Sequence, residues 1–368
     1  LGNLYYYGYG VDKDYKKSKE YLEMAAEYDV SEALNQLGQF YRHGVGVTKD
    51  ISKALLYYKR AAKKNHSEAL FNLGFVYFEG IVCVKDILKA IHYFKLSSEQ
   101  GNSNALINLG VISSTENKTI KKDYSKAIEY FELAANENNG LGFWHLGGMY
   151  ENGEGVEKDY LKAKEYYEKS SRFNNSLAFL SLGHLYYNGY GVKKDYKEAI
   201  KNYKYAYEMG DLDALYYLGS IYSNTDDFDY DIEKSIAFFK KNIELTEQEY
   251  SKYNPIENVT YNSYVPKKYY LPSYNDLGLI YITVFDDKKN GFDCIKIAAD
   301  GEYPFAECNL GLLYQFCLDK VNIEEAKYRY EKASKYKFAM AEFNLGKIYE
   351  DEGEQEKSIE YFKMAINL

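Results

Sequence analysis

The stretch YRHGVGVTKD, Tyr41 to Asp50, decides the fold. Gly44-x-Gly46 running into a helix start suits a loop that cradles phosphate, and it equally suits a tight turn between two helices. A phosphate loop is needed once, follows a strand, and carries Lys-Ser/Thr or sits in a βαβ unit. Here Gly-x-Gly-Val recurs at Gly8 to Val11, Gly153 to Val156 and Gly189 to Val192, each time behind a helical pattern. In the third copy Val82 replaces the second glycine. The motif is a structural turn, and the spacing of its copies sets the architecture.

The pair Leu-Gly marks that spacing. It begins at Leu1, Leu37, Leu73, Leu109, Leu146, Leu182 and Leu218, at steps of 36 or 37 residues, and again at Leu277, Leu310 and Leu345 after steps of 59, 33 and 35. Ten repeats result, one with an insertion. In the first helix of each repeat a tyrosine follows the Leu by four residues, on the same face: Tyr5, Tyr41, Tyr77, Tyr150, Tyr186, Tyr222, Tyr281, Tyr314 and Tyr349, with Ser113 the exception. A glycine inside a helix costs about 1 kcal/mol, so its return in every repeat signals a close approach by another helix.

The second helix starts at an N-cap acid: Asp14, Asp50, Asp86, Asp123, Asp159, Asp195 and Asp231, with Asn322 in the ninth repeat. Four residues on stands a small side chain (Ala54, Ala90, Ala127, Ala163), and eight on a ring (Tyr58, Phe94, Phe131, Tyr167). The helix ends near a residue able to turn left-handed: Asp29, Asn65, Gly101, Asn138, Asn174, Gly210 and Gly301. Ser31, Ser67, Ser103 and Ser176 are placed to cap the next first helix.

Taken together, Leu-Gly, the Tyr, the Gly-x-Gly-Val turn, the Asp, the small residue, the ring and Ala-Ala pairs such as Ala61-Ala62 resemble the Sel1-like repeat family, a branch of the tetratricopeptide-type solenoids. Ala33 to Ala62 matches nearly throughout, whereas the central turns of repeats four, seven, eight and ten depart from the pattern. The resemblance implies an all-α, right-handed α/α superhelical solenoid. It also implies a protein-binding scaffold or adaptor that holds a partner on its concave surface, as in bacterial pathogen–host contacts. The alternative it offers is a substrate-recruiting subunit of a ubiquitin-ligase or quality-control complex. The cysteine-rich branch linked to β-lactam binding carries a disulfide in each repeat, and that framework is missing here. The expected layout is repeats one to seven at 1–245, an insertion loop at 246–272 and repeats eight to ten at 273–368.

By analogy with tetratricopeptide arrays, the groove side chains stand two residues before the Leu, two after and five after. These are Asn35, Gln39 and Arg42, then Phe71, Phe75 and Phe78, then Ile107 and Val111. Trp144 and Glu151, His184 and Tyr187, Tyr216 and Ser220, and Cys308, Leu312 and Gln315 follow. Trp144, the one tryptophan, leads an aromatic anchor strip with Phe71, Phe75, Phe78, Tyr187 and Tyr216; burial of several of these against the next repeat is the competing expectation. The insertion from Thr246 to Pro272 holds three of the four prolines and offers a second contact region.

Composition narrows the rest. A net charge of −9 and a pI near 5.3 disfavour nucleic acid, which needs clustered Lys and Arg. Cys83, Cys294, Cys308 and Cys317 lack metal or disulfide spacing, and His43, His66, His92, His145 and His184 make no paired metal motif. The paired acids Asp226-Asp227 and Asp286-Asp287 belong to turns. No nucleophile elbow appears, so the expectation is a protein that is not an enzyme and uses no cofactor or metal. No apolar run is long enough for a membrane span. The expected location is cytoplasmic, with secretion left open because the pattern is already under way at Leu1. Sequons at Asn117, Asn174 and Asn258 are expected by chance in an Asn-rich chain. Exposed repeat ends would allow end-to-end homodimers. Tyrosine, 44 of 368 residues, is in excess partly through AT-rich codon usage, shared with Asn, Lys and Ile, and for the rest through structure.

Overall fold

A computed structural model describes residues 1–367 apart from 81–84, 117–118, 224–229, 254–269 and 318–320. The Val82 turn, Cys83, the Asn117 and Asn258 sequons, Asp226-Asp227 and most of the expected insertion loop lie outside the described residues. Among the described residues every regular element is a helix. The chain is an all-α solenoid of helix–turn–helix repeats, and it divides into two compact units, Leu1–Lys194 and Asp195–Leu368.

In the first unit the helices are α1 (Gly2–Tyr7), α2 (Tyr15–Glu27), α3 (Ser31–His43), α4 (Ile51–Ala62), α5 (Ser67–Glu79) and α6 (Ile87–Glu99). They continue as α7 (Ser103–Ser114), α8 (Tyr124–Asn136), α9 (Gly140–Asn152), α10 (Tyr160–Ser171) and α11 (Ser176–Asn188). The second unit holds α12 (Tyr196–Glu208), α13 (Asp213–Ser223), α14 (Ile232–Tyr253), α15 (Leu271–Thr283) and α16 (Lys288–Asp300). It ends with α17 (Pro304–Leu312), α18 (Ile323–Ser334), α19 (Ala339–Asp351) and α20 (Gln355–Ile366), with a π-helical turn after α17.

The acids predicted to cap the second helices do so. Asp14, Asp50, Asp86, Asp123, Asp159, Asp195 and Asp231, and Asn322, each accept backbone N–H groups from the first helical turn at 2.9–3.1 Å. Asp287 does the same for α16. The serines expected to cap the first helices do not. Ser31, Ser67, Ser103 and Ser176 are already the first helical residues, and the residue before each has the extended backbone a cap needs. His66, Asn102 and Asn175 supply the acceptor there, and Asn139 does so for α9; Val30 has none to offer. The left-handed residue lies fifteen positions beyond the cap throughout, from Asp29 (φ 52°) to Gly210 (φ 93°). In repeat eight that count reaches Glu302 (φ 68°), and Gly301 keeps an ordinary φ of −79°. Gly301 matters for space instead: a Cβ there would meet Leu271 at 2.6 Å. Residues 246–253, expected in the loop, extend α14, and Pro272 sits in the first turn of α15, where a missing N–H costs nothing.

The Leu-Gly mark now has a physical cause. A Cβ on Gly38, Gly74, Gly110 or Gly147 would run into the ring of Tyr58, Phe94, Phe131 or Tyr167 of the same repeat's second helix. In the second unit Gly219, Gly311 and Gly346 face Phe239, Tyr330 and Phe362 in the same way. Most of these rings are wholly buried, each beside a buried small residue such as Ala54, Ala90, Ala127 or Ala163. The opening motif is resolved as well. Gly46 (φ 63°) and its equivalents Gly155 and Gly191 turn left-handed while resting on the Cβ of Tyr15, Tyr124 and Tyr160 of the preceding repeat.

Two further devices recur. The N–H of the cap residue donates to the carbonyl of the first-helix Tyr, as Asp50 to Tyr41 (2.8 Å) and Asp86 to Tyr77 (2.9 Å). This backbone latch survives where the turn sequence does not: Asp123 to Ser113, Asp231 to Tyr222, Asp287 to Tyr281, Asn322 to Tyr314 and Glu354 to Tyr349. The same tyrosine stacks nearly parallel on a ring of the second helix, 5.5–5.7 Å away, in the pairs Tyr5–Tyr21, Tyr41–Tyr57, Tyr77–Tyr93, Tyr150–Tyr166, Tyr222–Phe238 and Tyr349–Tyr361. A lysine caps each stack, Lys17, Lys53, Lys89, Lys162, Lys234 and Lys357, at 5.0–5.4 Å. These sandwiches use eleven of the 44 tyrosines.

Candidate interaction surface

Within each unit the first helices of successive repeats touch one another and form a layer. The residue two before the Leu in one repeat reaches the residue one before the Leu in the next. Asn35 accepts from Asn72 Nδ2 at 3.1 Å, and Trp144 Nε1 donates to Ser181 Oγ at 3.0 Å. In the second unit Tyr216 packs against the core around Leu277 of the next repeat, and Asn309 Nδ2 donates to Asn275 Oδ1 at 2.9 Å. These clasps are polar bonds shielded by packed helices, so breaking one strands a buried group. The sequence gives a faint signal for them, a polar residue just before most of the Leu-Gly pairs (Asn72, Ser181, Asp276, Asn309), but not which partner each one takes.

The expected groove residues therefore divide. Asn35, Ile107 and Cys308 are buried, and Asn35 also donates to Glu68 at 3.1 Å. Trp144 packs against Tyr167, Leu182 and Leu185 with its indole N–H committed to Ser181. Tyr216 lies 5.9 Å from the Phe239 ring. Glu151 accepts from Tyr167 Oη at 2.5 Å, and Gln315 from Tyr330 Oη at 2.8 Å, so both serve the buried ring of their own repeat. His184 is half-buried, and the loss of water holds its imidazole down at about 4; the same cause puts His145, stacked 4.4 Å from Phe131, at about 4. Both are neutral at pH 7.

Gln39, Phe71, Phe75, Phe78 and Tyr187 stay half-exposed. Phe71 leans on Phe94 at 5.7 Å. Phe75 lies under the Arg42 guanidinium, 4.6 Å away, and that guanidinium also donates to Asn72 Oδ1 at 3.2 Å. Lys85 stands 4.4 Å over Phe78. The structure thus brings three phenylalanines and two cations onto α5 and its immediate surroundings, and leaves Trp144 and Tyr216 as repeat-to-repeat ties.

In the second unit the layer carries carboxylates. Asp276 is held above the usual carboxylate range by burial, and Asp213 is pushed up to about 7, by burial first and then by the charge of Asp211. Glu307, buried, binds Arg329 and Lys332, both at 3.1 Å. Among the described residues no group of three or more His, Cys, Asp or Glu side chains could hold a metal ion, and no helix is long and apolar enough to cross a membrane.

Comparison with known proteins agrees with this geometry. The Sel1 repeat pattern matches residues 1–27, 31–66, 67–102, 103–139, 144–172, 176–211, 212–245, 304–335 and 339–368. A Sel1 repeat protein from Oxalobacter formigenes is 29% identical with a TM-score of 0.60, over 66% of this chain and 98% of that one. The protein c5321, a protective antigen present in uropathogenic Escherichia coli strains and displaying an SLR fold, is 27% identical with a TM-score of 0.55, over 95% of this chain and 78% of that one. No functionally curated protein matches the chain. With nine matched repeats distributed from its first residues to its last, the chain belongs to the Sel1 repeat family.

Proposed function

We propose that the chain is a non-catalytic scaffold that binds a protein partner on the first-helix layer of its first unit. Sel1 repeats generally mediate protein–protein interaction, and the layer of first helices is the surface whose side chains the repeat leaves variable. The observation that carries the reading is the cluster of Phe71, Phe75 and Phe78, half-exposed beneath the charged heads of Arg42 and Lys85. Rings on a rigid helix, rimmed by cations, suit an apolar segment that carries an acid. Gln39 extends the layer on the neighbouring α3, and His184 and Tyr187 lie farther along it on α11. Asn35, Trp144 and Tyr216 contribute by holding the repeats in register.

The test is capture from host lysate followed by reconstitution with the purified partner. Wild type is compared with Phe75→Ser/Phe78→Ser and with Leu56→Ser, an equally apolar but exposed change on α4. The expected outcome is a partner that binds wild type and Leu56→Ser and is lost by the double variant at unchanged helicity. Equal binding by all three overturns the assignment of the surface. A ligase component or its substrate as that partner would favour the recruiting-subunit reading.

A further inference from the structure

The helix that carries the phenylalanine cluster begins on a different chemistry from its neighbours. Asn102, Asn139 and Asn175 cap α7, α9 and α11 with side-chain amides, which do not titrate. At the same place α5 has His66, and histidine is the side chain whose charge changes between about pH 5 and 8.

Two contacts fix the state of that ring. Nδ1 accepts the Ala69 N–H at 3.3 Å, so it carries no proton. Nε2 lies 2.9 Å from Glu32 Oε2 of the preceding repeat and donates to it. The imidazole is therefore neutral in this arrangement. A second proton has only Nδ1 to go to, where it faces the Ala69 N–H. The cap bond is then lost, and a positive charge stands at the positive end of the α5 dipole. The same proton strengthens the bond to Glu32, but that side chain is 64% exposed, so solvent screens the gain. The other ionisable groups near this end of the packed elements are Lys63 and Lys64 after α4, Glu68 in α5, Glu99 in α6 and the Arg60–Asp29 pair. Glu68 is engaged by Asn35 Nδ2 at 3.1 Å, and Arg60 by Asp29 at 2.7 Å.

We infer that His66 is a proton switch on α5: acid trades its cap bond for a stronger tie to Glu32, loosens the first turn and weakens the grip of the phenylalanine cluster on its partner. The effect on the partner rests on the function proposed above, since Phe71 stands two residues beyond Ala69 on the same helix. The helix itself persists in acid. Leu70 N–H still donates to the His66 carbonyl at 3.0 Å, and Ser97 Oγ of α6 to the Ser67 carbonyl at 2.8 Å.

The test compares wild type with His66→Asn, which gives α5 the cap that α7, α9 and α11 already use. At about pH 7.5 the nitrogen-15 spectrum of His66 should show a protonated Nε2 and a bare Nδ1. Between about pH 7.5 and about pH 5, exchange of the Ala69 amide, corrected for its intrinsic rate, should rise about fivefold in wild type and less than about twofold in His66→Asn. A bare Nε2, or an equal rise in the two chains, overturns the switch. Over the same interval affinity for the purified partner should fall about fivefold more in wild type than in His66→Asn. An equal fall in both overturns the link to binding. Binding that survives Phe75→Ser/Phe78→Ser is instead a failure of the surface assignment, and the Ala69 exchange is read independently of it.

Discussion

Repeat two seats a tyrosine over its Leu-Gly glycine, and repeat eight has no ring there at all. In repeat two the Tyr58 ring lies against Gly38, with Ala54 as the small neighbour. In repeat eight the ring is replaced by Ile295 and the small residue by Gly291, and the backbones of α15 and α16 close the gap themselves. A Cβ on Gly278 would sit 2.8 Å from the Gly291 carbonyl oxygen, and a Cβ on Gly291 would sit 2.8 Å from that of Gly278. The glycine in the repeat is therefore a requirement for room, which a ring or a second backbone can fill. Repeat eight is also the one that the Sel1 pattern does not match.

The first way to break this comparison is to add a methyl group to each glycine. Gly278→Ala forces backbone against backbone and should cost about 3 kcal/mol, while Gly38→Ala meets a ring that can tilt and should cost about 1–2 kcal/mol. Hydrogen exchange resolved to α15–α16 and α3–α4 reads the two losses separately. A larger loss at Gly38 would show that the fully buried ring yields less than the glycine pair.

The two units should also respond oppositely to acid. His145 and His184 are held near 4, below the ordinary value of about 6.5. The unfolded chain therefore binds protons that the native first unit refuses, and stability falls as pH drops from about 6.5 to about 4. Asp213 is held near 7, above the ordinary 3.8, so the native second unit keeps a proton that the unfolded chain has lost. Its stability falls as pH rises from about 4 to about 7. Each effect is on the order of 2 kcal/mol. Protection factors for α9–α11 and α13–α15, measured at pH 4.5 and pH 7 and corrected for intrinsic exchange, should move in opposite directions; a common direction would refute the contrast.

Smaller effects sharpen it further. Asp50→Ala removes a cap bond from α4 and should cost about 1 kcal/mol in a urea titration. Glu354, at the same place in repeat ten, makes no side-chain cap bond, so Glu354→Ala should lower the urea midpoint less. A smaller loss, about 0.5 kcal/mol, is expected for Lys53→Met, because it uncovers the Tyr41–Tyr57 stack. Lys126→Met, in the repeat where Ser113 replaces the tyrosine, should leave the melting temperature unchanged.

The helical repeat was legible because it depends on local chemistry that recurs: Asp at the cap, Gly in the turn, and a ring a fixed distance on. The Tyr–ring–Lys sandwiches had the same kind of signal, since Tyr21, Tyr57, Tyr93, Tyr166, Phe238 and Tyr361 all stand seven residues beyond their caps. The clasps were less legible. Asn35–Asn72 and Trp144–Ser181 share two backbone positions but no side-chain chemistry, so inspection of one repeat does not reveal them. For the same reason Trp144 looked like an anchor from its rarity and position, whereas its N–H is spent inside the array. The cap serines failed by one residue, since only the backbone shows where extended chain becomes helix.

The backbone latch has a consequence for how such a gene can change. It joins an N–H to a C=O, so it asks nothing of the intervening side chains and little of their number. The bridged positions are nine apart from Tyr41 to Asp50, ten from Ser113 to Asp123, six from Tyr281 to Asp287 and five from Tyr349 to Glu354. The number of residues between those two anchors can therefore change, except where a turn glycine rests on the preceding repeat, as Gly46 does on Tyr15. The short turn of repeat ten, where Gly353 has open space around it, is the natural place to graft an epitope or a protease site while the array is left as it was.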